Sequence, residues 1–277
     1  MRITTRISEL LASVLLIAAI PAISFADTVN VSFADGTQYV VAPRLSDYET
    51  EGDDMDGMLV TAYFGASSSS GNWADDVNDD EGGEVVVSGK FSLTESGDTW
   101  ASNWTLTNLS NDHLTRLILF GPPGNTLFDI DFSNPSTPHS ENGRTFTYKG
   151  GSYDGDIDVL YTDIVSVIGE APVGDLYATI DITFRGTIPG GGSLIFQQDT
   201  DNVVEDGTIT PIPVGDIDQD GDVDGADFAL FAVCLAGPDV LAPPPGATPE
   251  QFARADLDGD GDVDVVDLAE FQTVFGQ

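Results

Sequence analysis

DIDQDGDVDGAD, from Asp216 to Asp227, crowds six aspartates into twelve residues and then turns apolar. Forty residues on (256 minus 216), the chain repeats the pattern as DLDGDGDVDVVD, from Asp256 to Asp267. Counted from its first residue, each copy has aspartate at positions 1, 3, 5, 7, 9 and 12, glycine at 6 and valine at 8. A solvated acidic tail has no need of that glycine, that valine and an apolar run after position 12, made twice.

The crowding has a chemical use, because a hard dication takes six to eight oxygens and a curled loop aims alternate side chains at one point. The spacing is that of an EF-hand-type calcium loop. It predicts side-chain ligation by Asp216, Asp218 and Asp220 in the first copy, and by Asp256, Asp258 and Asp260 in the second. Position 7 offers its backbone carbonyl, so Asp222 and Asp262 are expected to add charge. Asp224 and Asp264 can bind directly or through water, and Asp227 and Asp267 close the shell. Two Ca2+ ions are expected. Gly221 and Gly261 allow a sharp turn at positive φ, while Val223 and Val263 are expected to enter the core and pair the loops. Without a cation the carboxylates repel one another, which couples binding to folding.

Each loop opens an apolar-periodic segment, with Phe228, Phe231 and Leu235 on one face of the first and Leu268, Phe271 and Phe275 at the same offsets in the second. Thr248-Pro249-Glu250-Gln251 reads as a capping box with proline at the first helical position, predicting a helix from Thr248 to about Ala255. No helix precedes the first loop, since TITPIPV cannot form one. Cys234, the single cysteine, excludes an internal disulfide and reads as a small buried apolar residue.

The region from Gly215 to Phe275 resembles a type I dockerin module, on the strength of the duplicated DxDxDGDVDxxD motif, the aspartate at position 12 and the missing entering helix. The resemblance implies a calcium-folded module over residues 215–277 that docks onto a cohesin-like or other extracellular protein domain, often attached to a polysaccharide-active protein. Gly225-Ala226 and Val265-Val266 stand where such modules often place a Ser-Thr pair for partner recognition. The ligand set therefore carries over and the choice of partner does not.

Outward from the repeat, the 277 residues hold 47 acids against 9 bases, a formal net charge of -38 that disfavours nucleic acid and anionic membranes as partners. Residues 1–26 read as a secretory signal: Arg2 and Arg6, then LLASVLLIAAI, then Ser24-Phe25-Ala26. The apolar run falls short of the ~20 residues a spanning helix needs. The mature chain is thus expected to start at Asp27, to be exported and soluble, and to span no membrane.

Residues 27–206 alternate apolar and polar with period two, predicting an antiparallel β-sandwich or jelly-roll-like domain. Candidate strands are TVNVSF and TQYVVA flanking an Asp35-Gly36 hairpin turn, then EVVVSGKFSL, NWTLTNL, LTRLILF, TLFDIDF, RTFTYKG, DIDVLYTDIVSVI, DLYATIDITF and GSLIFQQD. The tracts Ser46 to Gly57 and Trp73 to Glu84 are read as solvated acidic loops. Gly207 to Val214 reads as a linker. Trp73, Trp100 and Trp104 are expected in packing, with sugar stacking as the other use. No catalytic residue can be named: Glu51, Glu84, Glu95, Glu141 and Glu170 are acids in loop-like context, and His113 and His139 lack a partner motif. The leading expectation is a secreted calcium-binding protein with a non-catalytic β module, possible polysaccharide contact and a dockerin-like attachment module. The alternative is a secreted glycoside hydrolase with a dockerin-like tail.

Overall fold

The computed structural model describes residues 28–46, 50–130, 136–140, 142–204 and 207–276. The signal segment, Asp27, Glu141 and Asp206 lie outside them. The first strands are β1 (Val29–Phe33), β2 (Tyr39–Ala42), β3 (Leu59–Phe64), β4 (Ser67–Asn72), β5 (Ala74–Asp75), β6 (Gly82–Val87), β7 (Phe91–Ser96) and β8 (Trp104–Asn108). They are followed by β9 (Leu114–Phe120), β10 (Thr126–Asp129), β11 (Thr147–Gly151), β12 (Ile157–Val167), β13 (Leu176–Ile188), β14 (Ser193–Gln197), β15 (Asp199–Asn202) and β16 (Thr208–Pro211). Three helices close the chain: α1 (Gly225–Cys234), α2 (Pro249–Ala255) and α3 (Val265–Val274). The protein is mainly β with a helical C-terminal region.

Two sheets face each other. The smaller runs β11, β14, β8, β7, β6, β5 and is antiparallel throughout. The larger runs β16, β2, β12, β13, β9, β3, β4, with β1 beside β12 and β10 between β13 and β15. Strict alternation puts one face of β3, β7 and β8 inward. Their inward residues Val60, Ala62, Phe91, Leu93, Trp104 and Leu106 join Leu117, Tyr161, Ile180 and Phe196 in one core. Within it Trp73 lies 5.2 Å from Trp104, Trp104 5.8 Å from Phe196, and Phe196 5.0 Å from Phe146, centroid to centroid. Such aromatic contacts add about 0.5–1.5 kcal/mol each beyond area burial. β10 is buried on both faces because a second core, with Val41, Leu127, Val165, Leu176 and Ala178, covers the far side of the larger sheet.

Several details depart from expectation. Asp35-Gly36 makes no hairpin, because β1 and β2 both run parallel to β12, pairing with Ile157 to Tyr161 and with Val165 to Val167. Gly36, at φ 60, is a step in one interrupted strand; a Cβ there would sit 2.4 Å from Thr162 Oγ1. The sheet is therefore not purely antiparallel. EVVVSGKFSL is two strands joined at Ser88–Lys90, with Gly89 at φ 66. β3 and β4 add an unforeseen hairpin around Gly65-Ala66, in which the serine-rich β4 lacks the branched and aromatic residues that mark strands.

The linker reading is corrected in part: Thr208–Pro211 pairs with β2 as an edge strand, where the proline is tolerated. The acidic tracts are also more than solvated loops. Met55 and Trp73 are buried, and Trp73 Nε1 donates to the Gly52 carbonyl at 2.7 Å, so buried anchors fix both tracts to the sandwich. Trp104 is buried with its Nε1 donating to the Gln198 carbonyl at 3.0 Å. Trp73 and Trp104 thus pack as expected, whereas Trp100 is 44% exposed.

Candidate metal centre

The two acidic loops curl as their glycines require, Gly221 at φ 102 and Gly261 at φ 93. No atom crowds a Cβ at Gly221, so backbone conformation is what selects glycine. Position 4 carries the same demand: Gln219 at φ 62 and Gly259 at φ 74 are both left-handed, a requirement the sequence reading missed. The glycine in the second copy was the available signal.

Backbone N–H groups then fix the carboxylates. Asp216 accepts from Asp220 N at 3.2 Å and Gly221 N at 3.0 Å; Asp256 accepts from Gly259, Asp260 and Gly261 at 2.9 to 3.1 Å. Asp227 ties the loop's start to its end, accepting from Ile217 N at 2.6 Å and from Asp224 N at 2.8 Å. Asp267 repeats this with Leu257 N at 2.7 Å and Asp264 N at 2.7 Å. Asp224 and Asp264 are the N-caps of α1 and α3, and Asp227 and Asp267 complete the capping boxes. One side chain thereby closes the loop and starts the helix.

The geometry gathers Asp216, Asp218, Asp220 and Asp227 with one oxygen each within 4.8 Å of one another, and Asp256, Asp258 and Asp267 likewise. Asp260 stands outside that second set. Asp222 and Asp262, expected to add only charge, also converge, with Asp224 and Asp227 and with Asp264 and Asp267 respectively. Among the described residues, no acidic group of the sandwich forms such a cluster. Asp218 Oδ1 and Asp262 Oδ1 are buried with no hydrogen-bond partner. Burial first and the Asp227 charge second push the Asp218 carboxyl up to about 6. Orphaned oxygens crowded by like charge fit a hard dication, which takes the free lone pairs and cancels the repulsion.

Val223 and Val263 are fully buried in one core, but no valine-to-valine backbone hydrogen bond joins the loops. Each Val carbonyl instead accepts from the chain just past the other loop's helix: Ala236 N (3.0 Å) and Gly237 N (3.1 Å) reach Val263 O, and Gly276 N (2.7 Å) reaches Val223 O. The shared core holds Ile217, Val223, Phe231, Cys234, Phe252, Ala255, Val263 and Phe271, so Cys234 is a buried apolar residue as expected. Phe231 and Phe271 meet at 5.1 Å. Phe228 meets Phe271 of the other helix at 6.1 Å and Phe275 meets Phe271 at 5.8 Å, as the predicted face requires, yet Phe228, Leu235 and Phe275 stay 41 to 52% exposed, and Leu235 and Phe275 are C-caps with extended backbone. α2 forms where predicted, Thr248 Oγ1 accepting from Gln251 N at 3.2 Å. Arg254 of α2 reaches the Ile217 carbonyl at 3.4 Å and so couples this helix to the first loop.

The other candidates do not assemble. Glu51 caps a 3-10 turn, Glu84 lies in β6, Glu170 follows β12, and His113 Nδ1 is 2.7 Å from Thr187 Oγ1. Among the described residues no helix is long and apolar enough to cross a membrane. No curated protein and no solved structure matches the chain. Residues 214–272 do match the family described as the dockerin type I domain, and the C-terminal segment of this chain is a module of that family.

Proposed function

We propose that this is a secreted, non-catalytic protein in two parts: a β-sandwich from Asp27 through β16, and from Gly215 to Gln277 a dockerin module that holds two calcium ions and attaches the sandwich to a partner. Dockerin domains bind calcium and dock onto cohesin domains, which supports a calcium-dependent assembly role and an extracellular protein partner. The observation that carries the two-ion reading is the duplicated carboxylate cluster with orphaned buried oxygens. Asp216, Asp218, Asp220 and Asp227 are the side-chain ligands of the first ion, with Asp222 and Asp224 at its rim. Asp256, Asp258, Asp260 and Asp267 hold the second, with Asp262 and Asp264 at its rim.

A non-catalytic sandwich is favoured by where its perturbed acids lie. Glu95, Asp129 and Asp199 are each at most 8% exposed, so none presents a carboxyl to a polysaccharide. Calorimetric titration of the calcium-stripped chain from Asp27 onward should show two sites, and Asp216→Ala with Asp256→Ala should remove both. Immobilised cohesin should capture the calcium-loaded chain and release it in EDTA. A chain that takes up no calcium sinks the reading. Glycan hydrolysis lost on a single sandwich carboxylate substitution would favour the glycoside hydrolase.

A further inference from the structure

Nine basic residues serve this chain against 47 acids, and where the arginines of the sandwich sit is informative. Arg116 is paired with Asp181, and Arg185 grips Asp158 at 2.6 Å. Arg144 makes no ion pair among the described residues. Its guanidinium lies 4.3 Å over the ring of Trp100, its Nη1 donates to Gln197 Oε1 at 2.8 Å, and its Nε is buried without a partner. Its described partners are a neutral amide and an indole.

The surroundings are built. Gln197, only 8% exposed, accepts from Arg144 and donates to the Ala101 carbonyl, so one buried amide clamps the Arg144 segment to the turn that carries Trp100. That turn is fixed in its own right, with Trp100 N donating to Asp98 Oδ1 at 2.9 Å and Ser102 N to the Asp98 carbonyl at 2.7 Å. The Arg144 carbonyl accepts from Asp199 N at 3.1 Å. Between the two segments opens a cleft of about 490 Å³ lined by Trp100, Asn142, Gly143, Arg144, Thr145 and Thr147. Trp100 is the single exposed tryptophan of three.

We infer that this cleft is a saccharide-binding site, in which a neutral pyranose stacks on the open face of Trp100 while Arg144 and Asn142 donate to its hydroxyls. The inference goes beyond the proposed reading of the sandwich as a non-catalytic module, to a binding role, and rests on that reading. Three features select the class. A rigid indole offers a flat apolar platform, as sugar C–H faces require. Arg144, held by Gln197 and Trp100, supplies a fixed donor at its edge, with the exposed Asn142 amide beside it. The net charge of -38 disfavours a polyanionic chain at long range, which makes neutral glycans the fitting occupants.

The test uses the full chain from Asp27 with calcium present. Acrylamide quenching of tryptophan fluorescence reads Trp100 selectively, because Trp73 and Trp104 are buried. Cellohexaose, xylohexaose, mannohexaose and tetragalacturonate are the probes. At least one neutral hexaose should protect Trp100 from quenching, and calorimetry should show that Trp100→Ala and Arg144→Ala each weaken its binding about tenfold or more while circular dichroism shows the sandwich still folded. Neutral binding untouched by Trp100→Ala overturns the site but leaves the binding-module reading standing. Failure of every neutral probe to bind the parent chain overturns both. Tighter binding of tetragalacturonate than of any neutral probe overturns the neutral assignment.

Discussion

The calcium loops and the sandwich both bury carboxyl groups, and they surround them differently. In the loops, Asp216, Asp227, Asp256 and Asp267 each accept two or more backbone N–H groups, which fix where their oxygens point. In the sandwich, both Glu95 oxygens and Asp129 Oδ1 are buried without a hydrogen bond. Burial, with Asp98 next in weight, pushes Glu95 up to about 9. Burial again, with Asp201 and then Asp199 alongside, pushes Asp129 up to about 10, and Asp199 itself is pushed up to about 8. In the first region the carboxylate oxygens converge where a cation can meet them; in the second, Glu95, Asp129 and Asp199 belong to no such cluster and hold the proton. A carboxylate-rich sequence thus serves two folding strategies, distinguished by what faces the oxygens.

The widest break between the regions should come from calcium removal. EDTA should abolish the helical signal of α1, α2 and α3 while leaving tryptophan fluorescence unchanged, since Trp73, Trp100 and Trp104 all belong to the sandwich. Loss of both signals together would show that the regions fold as one unit.

Core truncation should separate them next. Trp104→Ala should cost about 3–5 kcal/mol in the sandwich transition alone, and Phe271→Ala a similar amount in the calcium-dependent transition alone, both read by denaturant titration.

Their responses to pH should run in opposite directions. Glu95 holds its proton in the native state up to about 9 against an ordinary value of 4.5, so over that window the native sandwich binds more protons than the unfolded chain and loses stability as pH rises. Glu95→Gln should flatten that slope in melts taken from pH 5 to 9. Calcium affinity should instead grow with pH, because its ligands must be deprotonated.

The smallest effect concerns loop geometry. Gly259→Ala, at φ 74 with nothing crowding the Cβ, should destabilise the calcium-loaded module by about 1 kcal/mol through backbone strain alone. An unchanged melt would show that position 4 relaxes freely.

Much of the calcium module was legible because its information is local. Twelve residues specify where their own oxygens fall, Thr248 and Gln251 announce α2, and valine at position 8 enters the core as the pattern requires. Less of the sandwich could be read. Alternation marked β8, β9 and β12 well, but four of the six residues of β4 are serine, and Thr208–Pro211 resembles a linker until β2 supplies its hydrogen bonds. Trp100 and Trp104 lie four residues apart and cannot be told apart by sequence, yet one is exposed beside Arg144 and the other is sealed under Phe196.

By itself the sequence determined which residues are able to surround a cation, since ligand spacing, left-handed glycine and helix cap all act within one turn of chain. The tertiary structure alone decided that β1 and β2 run parallel to β12, that each loop's valine carbonyl is paired past the other loop's helix, and that Glu95 points inward unpaired. These are contacts between distant segments, settled by which surfaces can be buried together, and no local rule carries that information.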